Sequence, residues 1–171
     1  MDEDGGIMGV IDEFRGRLPK FQDGRIDYSK SDKAPVITVF VKCKNKILLL
    51  KRSNKVNDYQ GKWNAVAGYL DKMIPVQEKV LEEIEEELGI EKKWIMSIRI
   101  GKPYEIVDSE INKTWIVNPV IVELKEFPNI RLNFEHTEFK WIRKDELVNF
   151  DTIPRLKSFF EDYVHMRTII F

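Results

Sequence analysis

Residues 68–90 read Gly68-Tyr69-Leu70-Asp71-Lys72-Met73-Ile74-Pro75-Val76-Gln77-Glu78-Lys79-Val80-Leu81-Glu82-Glu83-Ile84-Glu85-Glu86-Glu87-Leu88-Gly89-Ile90. Val76, Val80, Ile84 and Leu88 recur at every fourth position, which predicts a helix from Pro75 to Leu88 with one apolar stripe. Proline suits the first turn, where its missing N–H would have no partner anyway. Gly89 suits the C-terminal cap. The helix also carries Glu78, Glu82, Glu83, Glu85, Glu86 and Glu87. The like-charge pairs Glu82–Glu86 and Glu83–Glu87 each cost an isolated helix roughly 0.2–0.5 kcal/mol. Glu85, Glu86 and Glu87 crowd the last turn, where the helix dipole favours cations by about 0.3–1 kcal/mol per charge. Lys79 offsets Glu83 at i,i+4 but does not reach the last turn. A solvated acidic face is one reading, since glutamate is a good helix former. A bound divalent cation is the other. Glu83, Glu86 and Glu87 stand at i, i+3 and i+4 on one patch, and carboxylate oxygens suit Mg²⁺ or Mn²⁺.

Upstream, Val36-Ile37-Thr38-Val39-Phe40-Val41 predicts a buried strand, Lys44-Asn45-Lys46 a turn, and Ile47 to Leu50 the second strand of a hairpin. A polar loop spans residues 53–62, and a short strand is expected from Trp63 to Tyr69. Downstream, residues 94–106 and 114–124 predict two long strands joined by Asp108-Ser109-Glu110, and Phe139 to Ile142 a shorter one. Lys144 to Phe150 and Pro154 to Met166 are expected to be helical. Strands, helix, strands, helix is the order of an α/β sandwich with a mixed sheet. Residues 1–33 are polar and divide off as an N-terminal extension, in which Val10, Ile11, Phe14 and Leu18 fall at the spacing of a short helix. The domain proper is expected over 34–171.

In this context residues 68–90 resemble the Nudix box, G-x5-E-x7-R-E-U-x-E-E-x-G-U, where U is aliphatic. Gly68, Glu83, Ile84, Glu86, Glu87, Gly89 and Ile90 fall on its positions without a gap. Leu48-Leu49-Leu50-Lys51-Arg52-Ser53 and Gly61-Lys62-Trp63 resemble the family's approach to the box. Glu135-His136-Thr137-Glu138-Phe139-Lys140-Trp141 resembles its Glu-His…Trp segment. Together they cover roughly residues 34–165. The resemblance implies a Nudix-type α/β/α sandwich. It also implies a Mg²⁺- or Mn²⁺-dependent hydrolase that uses water to cut the pyrophosphate of a nucleoside diphosphate linked to another moiety.

Carried over position by position, the resemblance makes Glu83 and Glu87 direct metal ligands, with Glu86 a ligand or a water-mediated partner. The Gly68 carbonyl is a further candidate ligand, since a glycine lets the backbone come close. Glu135 is the candidate general base or an additional ligand. Lys51 and Arg52, at a strand end, are candidates to face the phosphates. Glu83 and Glu87 are expected to open onto a cleft. Two box positions depart from the pattern: Ile74 holds the place of the first glutamate and Glu82 that of the arginine. In the family that arginine helps orient a metal-binding glutamate, and neither residue here can do the family's job. Hydrolysis is therefore expected to be slow, unless Asp71 or Glu78 covers part of the role. The alternative is a catalytically impaired Nudix-fold module that binds or senses a nucleotide.

Composition closes off other classes. Twenty-eight basic and 29 acidic residues give a net charge of −1, so no whole-molecule field draws nucleic acid or an anionic membrane. The expected partner is a small-molecule nucleotide, and a homodimer stays open. A single cysteine, Cys43, allows no intramolecular disulfide and suits a reducing, cytoplasmic setting. Apolar runs are too short for a membrane span. Two histidines and one cysteine make a zinc site a poor fit. His136 and His165 are expected to be structural or exposed, and Tyr59, Trp63, Tyr104 and Trp115 either core residues or a base-stacking surface. The isomerases that share this fold need a cysteine near the strand before the box. Here Trp63-Asn64-Ala65-Val66-Ala67 supplies none.

Overall fold

The β-branched run from Val36 to Val41 forms the middle of an 11-residue strand, β1 (Lys33–Cys43), which is buried on both faces. The computed structural model describes residues 16–159 and 167–171, together with Ile11 and Phe14. β1 lies at the centre of a mixed sheet. It pairs antiparallel with β2 (Lys46–Arg52) through the Lys44–Asn45 turn, and in register with the parallel strand β7 (Lys113–Leu124) over ten residue pairs. β3 (Trp63–Asn64) pairs with β2, and β4 (Val66–Tyr69) pairs with β1. Beyond β7 lie β5 (Ile95–Ile100) and β6 (Tyr104–Asp108), while β8 (His136–Ile142) flanks β2 and β9 (Arg167–Ile170) flanks β5.

Side chains alternate across this sheet with the period of two that a pleat imposes. Val39, Val41, Leu48 and Leu50 join one core cluster, while Phe40, Ile47 and Leu49 join the other. The first cluster is covered by helix α1 (Val76–Leu88), whose Val80, Ile84 and Leu88 are fully buried. Ile11 and Phe14, both helical, and Ile26 and Tyr28 complete it, so this part of the N-terminal segment shares the core of the sheet. Leu147, Ile153, Leu156 and Phe159 cover the second face. Two covered faces on a mixed sheet make the α/β sandwich expected from the order of elements.

The helix begins one residue later than expected, with Pro75 as its N-cap, and ends at Gly89, whose φ of 70° favours glycine and whose N–H donates to the Glu85 carbonyl. Other boundaries shift for identifiable reasons. The strand expected over 94–106 is two strands, β5 and β6, interrupted at Gly101-Lys102-Pro103. The strand expected from Trp63 to Tyr69 divides at Ala65 because β3 and β4 pair with different neighbours. The strand expected from Phe139 begins at His136. Lys144–Asn149 is a 3-10 helix and not an α-helix. Of the helix expected over 154–166, residues 154–159 form a turn and a 3-10 turn, and 160–166 lie outside the described residues, as do Val10 and His165. β9 was not foreseen. Its four residues form one edge of the sheet, too short for a pattern to emerge. No helix among the described residues is long and apolar enough to cross a membrane.

If the apolar stripe of α1 holds the helix on the sheet, Ile84→Ala should cost about 2–5 kcal/mol in urea unfolding. Glu85→Lys, at an exposed position in the last turn, should instead be neutral or stabilise by about 0.3–1 kcal/mol, because it complements the helix dipole.

Candidate active site

Burying one stripe of α1 turns the flank that carries Glu83 and Glu87 toward β4. Both residues are buried, at 8% and 1% exposure. Glu83 lies directly on the backbone of Gly68: a Cβ at Gly68 would stand 2.7 Å from the Glu83 Cδ and 2.8 Å from its Oε1. Real Cβ contacts are never that short, so the sequence needs glycine here for the approach of a side chain. Gly68 and Glu83 line a cavity of about 550 Å³, together with Glu86, Glu135, Arg52 and Arg155. That volume falls in the usual range for small-molecule sites.

Glu83 is gripped by a lysine. The Lys79 ammonium stands 2.9 Å from Glu83 Oε1 and 3.2 Å from Asp71 Oδ1, with all three side chains buried to about nine-tenths. Burial works to lower the Lys79 pKa, but the charges of Glu83 and Asp71 outweigh it and hold the value above normal. Burial likewise raises Glu83, against the pull of Lys79. Lys79 was legible in the sequence only as a partial offset at i,i+4. The approach of Asp71, from the loop before the helix, was not. Glu82, at the position where the family has arginine, also lines the cavity and pairs with Lys72 at 3.1 Å. Arg25, from the N-terminal segment, comes within 3.7 Å of Asp71 and also lines the cavity.

Glu87 departs from expectation. It does not line the cavity but sits beneath it, with Oε2 buried and unpartnered. Glu86 is exposed and does line it. Ligand atoms of Glu87, Glu135 and His136 all lie within 4.8 Å of one another. Burial, and then the charges of Glu135 and Glu83, push Glu87 well above the ordinary carboxylate range. His136, expected to be structural or exposed, is buried, with neither ring nitrogen hydrogen-bonded and Nδ1 3.7 Å from Glu87 Oε1. Burial, and then Arg52, lower its pKa to about 4, so the ring is neutral at pH 7. The segment is pinned by Ser53, whose N–H donates to the Glu135 carbonyl at 2.7 Å and whose hydroxyl donates to the Phe134 carbonyl at 2.7 Å.

Lys51 and Arg52 do not act together. Successive strand residues point to opposite faces. Lys51 turns out to Glu138 at 3.4 Å and lines no part of the cavity, which corrects its assignment. Arg52 turns in and is held by Asp58, Nη2 to Oδ1 at 2.6 Å. Trp115 and Tyr69 also line the cavity. Arg155, absent from the sequence reading, lies over the Trp115 ring at 4.6 Å. Tyr59 is a hydrogen-bond bridge between Trp115 and Asp108, whereas Trp63 packs on Phe150 away from the site.

This architecture defines a class: α/β proteins in which an acid-bearing helix faces a glycine-backed ligand cavity. The chain belongs to the Nudix family, whose model, described as the NUDIX domain, matches residues 32–163. Solved structures agree in fold. A MutT protein from Methanosarcina mazei Go1 superposes with a TM-score of 0.62 at 21% identity, covering 77% of this chain and 93% of its own. A C. elegans Ap4A hydrolase, solved as a binary complex, gives 0.60 at 17%, covering 76% and 94%. The NUDIX domain of Shewanella oneidensis NrtR, complexed with ADP ribose, gives 0.58 at 12%, covering 75% and 82%. Comparison with curated proteins returns no match.

Gly68→Ala tests the packing of Glu83. The added methyl should displace the Glu83 carboxylate and abolish most of any Mg²⁺- or Mn²⁺-dependent rise in melting temperature, while the cation-free protein stays folded. An undiminished rise would separate Gly68 from the binding of the cation.

Proposed function

We propose that the chain is a divalent-cation-dependent hydrolase that cuts the pyrophosphate linkage of a nucleoside diphosphate derivative. The observation that carries this reading is the Asp71–Lys79–Glu83 arrangement: a buried lysine holds Glu83 over Gly68, doing the orienting work that Glu82 cannot. On this reading Lys79 takes over the part of the missing arginine, and the place of the first glutamate stays with Ile74.

The residues fit a cation. Ligand atoms of Glu87, Glu135 and His136 lie within 4.8 Å of one another, the Glu83 charge acts on Glu87, Glu87 Oε2 has no hydrogen-bond partner, and the Gly68 backbone is bare of any side chain. Burying such a cluster without a positive charge is costly. Glu83 and Glu87 would hold the ion, with the Gly68 carbonyl, Glu86 and Glu135 as further oxygen donors, and Mg²⁺ or Mn²⁺ matches that donor set. When bound, such an ion neutralises phosphate charge and makes a water more acidic. Glu135, half-buried at the cavity wall, accepts the proton of the attacking water. One P–O bond forms from the water, the bridging P–O bond breaks, and the two products leave as phosphate monoesters. Arg52, fixed by Asp58, is placed to bind phosphate oxygens.

Phosphate-product formation over a nucleotide panel with Mg²⁺ and Mn²⁺ tests this. On the best substrate, Glu83→Gln should abolish turnover. Lys79→Met should lower kcat on the order of 10²-fold by misplacing Glu83, and Lys79→Arg should recover part of it. The double change Ile74→Glu with Glu82→Arg should bring little gain. A large gain would show that the box positions, and not Lys79, limit the rate. Tight nucleotide binding with no turnover on any member would favour the sensing module.

A further inference from the structure

We propose that Arg155 anchors a second oxyanion of the substrate, remote from the linkage that is cut. The substrate class would then be a nucleoside diphosphate derivative whose attached moiety bears an additional phosphate or carboxylate. The proposal rests on the hydrolase reading for the cut linkage only.

Arg155 is 4% exposed, yet its Nε and Nη1 have no hydrogen-bond partner. Its guanidinium lies over Trp115 at 4.6 Å and near Tyr59 at 5.8 Å. The rings pack against the guanidinium and give Nε and Nη1 no hydrogen-bond acceptor. The neighbouring acceptors are engaged: Asp58 holds Arg52 at 2.6 Å, the Tyr59 hydroxyl donates to Asp108 at 2.5 Å, and the Trp115 indole donates to Tyr59 at 3.0 Å. A buried cation without an ion-pair partner is costly to keep. The residue lines the same cavity as Glu83.

Charge decides the chemistry. A neutral acceptor, such as a base carbonyl, would satisfy the N–H groups but leave the positive charge with only the Asp58 carboxylate nearby, which is already paired with Arg52. An oxyanion does both, and a guanidinium edge takes phosphate or carboxylate oxygens in pairs. Sheet register sets the separation. Gly68 lies opposite Ile37 on one side of β1, and Trp115 lies opposite Ala34 on the other. Three residues along the strand and two strand spacings across it put their Cα atoms on the order of 14 Å apart. This backbone separation is the ground for assigning the oxyanion at Arg155 to a part of the ligand other than the diphosphate held beside Glu83.

Isothermal titration calorimetry on the full chain, with Ca²⁺ and separately in EDTA, tests this with two matched pairs. Coenzyme A and dephospho-coenzyme A differ by one remote phosphate, and UDP-glucuronate and UDP-glucose by one remote carboxylate. Wild type should bind the charged member of at least one pair about tenfold more tightly or better. The pair concerned tells phosphate from carboxylate. Arg155→Met should reduce that preference to within about twofold and leave the uncharged partner's affinity unchanged, and Arg155→Lys should keep part of it. Arg155→Met should melt within a few degrees of wild type, since the lost ring contacts are offset by removal of a buried charge. Equal affinities within both pairs, binding of neither pair, a preference that survives Arg155→Met, or a marked fall in melting temperature would each overturn the proposal. Loss of the Ca²⁺ dependence alone, with the preference intact, would count against the cation site and leave Arg155 standing.

Discussion

The site depends on one contact, the Glu83 carboxylate lying on the bare backbone of Gly68. It ties α1 to β4 at the point where the helix flank meets the sheet. From it follow the glycine at position 68, the burial of Glu83, and the need for a cation close by. Lys79 meets that need one helical turn back, and Asp71 in turn fixes Lys79 from the preceding loop. Glu82 pairs instead with Lys72 at the cavity lining.

Charge in this region runs against local helix preference. Three glutamates fill the last turn of α1 with no basic residue beside them, and Glu87 is buried to 1%. Such conflicts are expected where function, and not stability, sets the sequence. Lys79 neutralises only one of the buried acids. The crowding of buried Glu87 against Glu135, which pushes Glu87 well above the ordinary carboxylate range, is what a divalent cation would relieve. Elsewhere in the cavity lining stands the buried Arg155, whose Nε and Nη1 have no hydrogen-bond partner. A ligand that carries anionic groups at both ends, one set met through a cation and one met directly, matches this division.

Much of this was legible in the sequence. The four-residue repeat from Val76 to Leu88 gave the helix and its buried face, and the β-branched run from Val36 to Val41 gave the central strand, because both patterns are long enough to show their period. The spacing of Glu83, Glu86 and Glu87 placed an acidic patch on one flank. What stayed hidden depended on chain crossings. Asp71 meets Lys79 only because the loop folds back over the helix. His136 comes to Glu87 because β8 pairs with β2, and Arg155 comes to Trp115 from a segment 40 residues away in sequence that no local pattern connects to it. The depth of Glu87 was equally invisible: helical periodicity distinguishes flanks but not how far a flank sinks beside a strand. Lys51 and Arg52 needed the strand's alternation to be told apart.

Anomalous scattering from crystals soaked in Mn²⁺ measures the cation site directly. A single strong peak within about 2.5 Å of a Glu83 carboxylate oxygen, with a second carboxylate from Glu87 or Glu135 in contact and the Lys79–Glu83 ion pair intact, is the expected result. A map with no peak beside Glu83 at saturating Mn²⁺, or a peak that remains there in Glu83→Gln, would contradict it.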